Sequence, residues 1–163
     1  MTTEQDSFRP TEPRGSSSPA FLLAQVGAHA AARFAERLRE VDLSPSHAGI
    51  LRILGATPAI PQQALAAALG TQPSRLVALL DELESKELVE RQSDESDRRR
   101  YALRLTEKGR SMLQVVGKIA RSHQQELLAV LSEDERRQLA ALLLRVADQQ
   151  GLAKGVHPGY RGM

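Results

Sequence analysis

The chain has 163 residues, 41% of them hydrophobic but only 3% aromatic, with 22 Lys and Arg against 20 Asp and Glu. That size fits one domain with arms, and its core must be built from Leu, Ala and Val. The absence of cysteine excludes a disulfide framework, a thiolate zinc site and a thiol switch, and a net charge of +2 is too mild to announce a nucleic-acid partner.

Residues 1–19 are polar and hold three prolines and a triple serine, which predicts a disordered arm. They lack the apolar segment of a signal peptide. No stretch of the chain reaches the roughly 20 apolar residues of a membrane span, so the chain reads as soluble and cytoplasmic. From there the apolar period is 3.6. Leu23, Val26, Ala30, Phe34, Leu38 and Val41 predict a first helix over 19–41. Ser44 and Pro45 form the N-cap and first position of a second. A third spans 62–69 and is ended by Gly70, and a fourth runs to about residue 86 on a stripe of Leu76, Leu79, Leu80 and Leu83. The period then changes to that of two short strands, 88–92 and 101–106, joined by a wholly polar segment. Thr106 caps a long fifth helix expected to reach residue 131, and Ser132 and Glu135 form the capping box of a sixth ending near 149. From Gly151 the glycine content predicts a flexible tail.

Helix three, a glycine turn and helix four have helix-turn-helix spacing. A strand hairpin with an arginine-rich tip follows directly, and the combination describes a mainly α winged helix-turn-helix. On the fourth helix the leucines fall on one side. The other side presents Gln72, Ser74, Arg75, Val77 and Ala78 before any acidic residue occurs. Small side chains let such a helix enter a major groove. Arg75 can reach a guanine edge or a phosphate, and Val77 or Ala78 a thymine methyl. At the hairpin tip Arg98, Arg99 and Arg100 stand within six residues of Arg104, and guanidiniums suit phosphates and narrow minor grooves. Asp97 fits as the group that orients a neighbouring arginine.

The run Asp97, Arg99, Leu103, Leu105, Thr106 and Gly109 resembles the wing pattern of the MarR family of bacterial winged-helix regulators, and the similarity extends over about residues 20–150. The resemblance implies a homodimer that straddles a pseudo-palindromic double-stranded DNA operator, with Arg99 in the minor groove beside Asp97. In that arrangement 20–43 and 107–150 form the dimerisation region and 44–106 the DNA-binding domain. The long apolar stripes at the two ends of the chain suit this, because a small winged domain could not cover them. The resemblance also implies a small aromatic or anionic effector bound between these parts, near Phe34, Arg37, Leu38, His47, Leu51 and Met112. At residue 87 the family usually has glycine; Glu87 there costs about 1 kcal/mol if the backbone must be left-handed.

His29, His47, His123 and His157 share no metal-ligand spacing, and no nucleophile–base pair or phosphate loop is present. No cofactor and no enzymatic activity are expected. The rival reading is a winged-helix protein–protein interaction module without DNA binding, supported by nine Lys and Arg against nine Asp and Glu over residues 71–110.

Overall fold

The computed structural model of the chain describes residues 18–93, 101–153 and 155–157. Six helices and a small sheet follow in the order α1 (Pro19–Arg39), α2 (Pro45–Ala56), β1 (Ile60–Pro61), α3 (Gln62–Leu69), α4 (Pro73–Ser85), β2 (Val89–Ser93), β3 (Tyr101–Leu105), α5 (Glu107–Leu127) and α6 (Glu133–Gln149). The mainly helical winged helix-turn-helix predicted from the sequence is what forms.

One strand escapes the periodicity. β1 has two residues and a proline, too short for any alternation to register. It pairs with β3 through Ile60 opposite Leu103, so the sheet has three antiparallel strands in the order β1-β3-β2. β2 pairs with β3 from Val89 opposite Leu105 to Ser93 opposite Tyr101. Proline is tolerated in β1 because it lies on a sheet edge.

The core lies in the middle of the chain. Leu51, Leu54, Leu65, Leu76, Leu80, Leu83 and Leu103 are all essentially inaccessible to solvent, joining α2, α3, α4 and β3. Burying each such side chain contributes roughly 2 kcal/mol. Leu38 carries α1 into the same cluster, and Val116 carries α5. By contrast α6 buries no residue within the single chain.

Four helix ends share one geometry. At α1, α3, α4 and α6 the last turn closes with two backbone bonds across a residue of positive φ: Asp42, Gly70, Glu87 and Gly151. This satisfies carbonyls the helix leaves open. α5 stops at Leu127 rather than continuing to residue 131. There the Arg136 side chain donates to the Leu128 carbonyl, and the chain turns into the Ser132–Glu135 capping box of α6.

Beyond α6 the sequence reads as a tail. The structure places Val156 against the core, and the Arg52 guanidinium donates to the Gly155 carbonyl at 2.6 Å.

Candidate nucleic-acid interface

α4 is presented by what lies beneath it. Its inner leucines are locked in the core, so its orientation on the molecule is set by packing. Gly70, with φ 62°, makes the turn that brings α3 against it. Pro73 occupies the first helical position and the Gln72 side chain makes no cap bond to the N–H groups of the first turn. No acidic residue lies in that turn. The dipole and donors at this end therefore face outward with affinity for phosphate. Gln72, Ser74, Arg75, Val77 and Ala78 are all exposed there as one contiguous surface.

The acidic residues of α4 come in its later turns, and each faces a cation or a histidine. Arg91 on β2 bonds Asp81 at 2.8 Å and Glu84 at 2.6 Å. Glu82 stands 3.1 Å from Nε2 of His47, without the alignment of a hydrogen bond. His47 is buried at the start of α2, where its Nδ1 accepts from the Ser44 N–H. Burial holds its pKa below the ordinary histidine value, against the opposing pull of Glu82. Arg91, which is not among the DNA contacts expected from the sequence, pairs with the acidic residues of the later turns. Its place beside α4 depends on where β2 lies against that helix, which strand alternation alone does not give.

The hairpin is held by the family-like motif. Thr106 Oγ1 accepts from the Gly109 N–H at 2.9 Å and donates to the Glu87 carbonyl at 2.6 Å. A Cβ at residue 109 would lie 1.9 Å from the Leu88 carbonyl oxygen, so only glycine lets α5 start this close to β2. Arg104 is exposed on β3 directly opposite Glu90. The expected wing contacts Asp97, Arg98, Arg99 and Arg100 lie outside the described residues.

The residues expected around an effector do not converge. Leu38 and Leu51 are fully buried in the core, because their stripes face the leucine cluster. Met112 packs partly buried against that core. Arg37 is engaged with Glu126 and Ser122 in a small hollow with His29 and His123, and the Glu126 hydrogen bond raises its pKa. His47 lines a separate hollow with Lys86 and Glu82. Only Phe34 lies on the apolar cleft between α1, α2 and α5, of about 500 Å³, whose cation is Arg52.

Residues 43–101 match the family model described as MarR family. A relative from Thauera aromatica, named for transcriptional regulation of the hcr operon, is 34% identical over 107 residues, which span 66% of this chain and 64% of that protein's length. The solved structure of the transcriptional repressor CouR bound to a 23-mer DNA duplex is similar at TM-score 0.73 and 30% identity, over 85% of this chain and 99% of that one. A mutant MarR from E. coli complexed with operator DNA is similar at TM-score 0.67 and 26% identity, over 78% and 91% of the two chains.

Proposed function

This chain belongs to the MarR family of transcriptional regulators, and we propose that it acts as a homodimeric repressor on a pseudo-palindromic operator. The observation that carries this is the exposed first half of α4, free of acidic residues, while Arg91 draws Asp81 and Glu84 toward the sheet. A helix so presented reads base edges from its N-terminal turns. The wing's Arg99 completes the reading by entering the adjacent minor groove, with Asp97 orienting it. Apolar side chains left exposed on α1 and α6 support the dimer, which brings two reading heads to one palindrome. The α1–α2–α5 cleft, with Phe34 and Arg52, is where a small aromatic anion binds and weakens the hold on DNA.

Selection of bound duplexes from a random pool tests this, with wild type and Arg75→Ala in parallel. The expected result is an enriched palindrome that the variant relaxes at one position by about 1–3 kcal/mol if Arg75 reads a base. If it contacts phosphate, the variant flattens the salt dependence by about one unit instead. Folded, dimeric protein that enriches no sequence would overturn the reading in favour of a protein-interaction module.

A further inference from the structure

His47 stands between two helices, and its two ring nitrogens have different tasks. Nδ1 accepts from the Ser44 N–H at 3.2 Å, while the Ser44 hydroxyl accepts from the His47 N–H at 3.2 Å. Together these bonds close the capping box at the start of α2. A neutral imidazole that accepts at Nδ1 carries its proton on Nε2. That second nitrogen faces α4. It is buried without a hydrogen bond and stands 3.1 Å from a carboxylate oxygen of Glu82. The Glu82 side chain is 59% exposed, so a rotation of its own carboxylate is enough to meet the Nε2–H. The other charged groups around the ring are Lys86 on α4 and Arg39 and Asp42 at the end of α1, and Lys86 pairs with Asp42.

A second proton on this ring has no acceptable place. It must go to Nδ1, where it points at the Ser44 N–H, donor against donor. Turning the ring over brings no relief, because both nitrogens of an imidazolium are donors. The charged ring therefore keeps its attraction to Glu82 and gives up the cap of α2.

We propose that His47 is a positioning residue for the DNA-reading surface of α4: the neutral ring fastens the start of α2 to α4, and acid opens that fastening and weakens the hold on DNA. The proposal rests on reading α4 as the helix that enters the major groove. Burial, and then Lys86, oppose the charged ring, while Glu82 and Asp42 favour it, and the pKa lies below the ordinary histidine value. The fastening is complete above that ordinary value of about 6.5 and is lost as pH falls through the lowered one.

His47→Gln separates the cap from the charge. Glutamine at this position completes the Ser-x-x-Gln form of the capping box and does not titrate. Affinity for the selected operator duplex and the urea midpoint are measured at constant ionic strength between about pH 7.5 and about pH 5. His29, His123 and His157 titrate in both proteins, so the difference between them belongs to His47. Wild type is expected to lose about fivefold more affinity than His47→Gln over this range, as the competent fraction falls. Glu82→Gln keeps a side chain of the same shape on the exposed face of α4 and removes the group that most favours the charged ring. It is expected to move the His47 midpoint, read from the Cε1 proton by NMR, to lower pH, and the loss of affinity with it. Equal acid losses in wild type and His47→Gln would overturn the proposal, as would a His47 midpoint indifferent to Glu82→Gln. If no duplex is enriched, the reading of α4 falls by itself. The urea midpoints still decide the fastening, which stands only if acid destabilises wild type more than His47→Gln.

Discussion

Glu87 occupies backbone space that favours glycine, with φ 60°. It holds there because the turn around it is fully bonded. Its own N–H reaches the Glu84 carbonyl at 2.8 Å, the next N–H reaches Leu83 at 2.9 Å, and Lys108 pairs with its carboxylate at 3.1 Å. That ion pair is exposed and contributes little. Glu87→Gly is therefore expected to stabilise the fold by about 1 kcal/mol, less a few tenths for the lost pair, read as a higher urea midpoint at unchanged slope. No gain would mean that the surrounding bonds have already relieved the strain. Arg91 calls for the opposite kind of test. Removing it leaves Asp81 and Glu84 uncompensated on α4. Arg91→Ala is expected to weaken operator binding roughly tenfold at low salt, and Asp81→Ala added to it to recover part of the loss. A single variant that binds normally would show that those carboxylates never approach the DNA. The outer residues of α4 were legible because helix periodicity assigns faces without knowledge of the fold. Arg91 was not, since its pairing depends on where a strand lies beside a helix. Leu38 and Leu51 lie in the core, a place their stripe does not separate from a cleft wall, because it reveals that a residue is buried, not which neighbour buries it.

At the scale of elements, helix starts were easier to read than helix ends. Ser44, Thr106 and Ser132 cap by side chains whose identity names the job, and each accepts the expected N–H. The ends at Asp42 and Glu87 use a conformation that sequence signals only through glycine, so α1 reads two residues too long. The third strand, β1, is legible only from its partner. The return of residues 155–157 to the cleft is likewise set by tertiary contacts.

At the scale of the whole molecule, the distribution of burial separates two kinds of structure. The winged lobe encloses its leucines within α2, α3, α4 and the sheet, whereas α6 buries nothing and leaves Leu142, Leu143, Leu144 and Val146 open to solvent. Phe21, Leu22, Leu23 and Val26 on the first turns of α1 are open as well. In the proposed homodimer, apolar area of this extent on two helices from opposite ends of the chain is what a second copy would cover, since a two-fold axis lets each end cover the other. The consequence reaches the DNA. On the proposed function a monomer would engage one half-site, and the second head's contribution would be lost along with the dimer. Val26→Asp combined with Leu142→Asp is expected to sediment as a monomer and to bind a full palindrome about 100-fold more weakly, with affinity close to that for an isolated half-site. The leucine core does not include either position, so the variant's winged lobe remains folded, and its circular dichroism is expected to keep most of the helical signal. Retained full-site affinity from a demonstrated monomer would mean that a single winged lobe supplies the binding energy. The exposed faces of α1 and α6 would then have to serve a partner other than this chain.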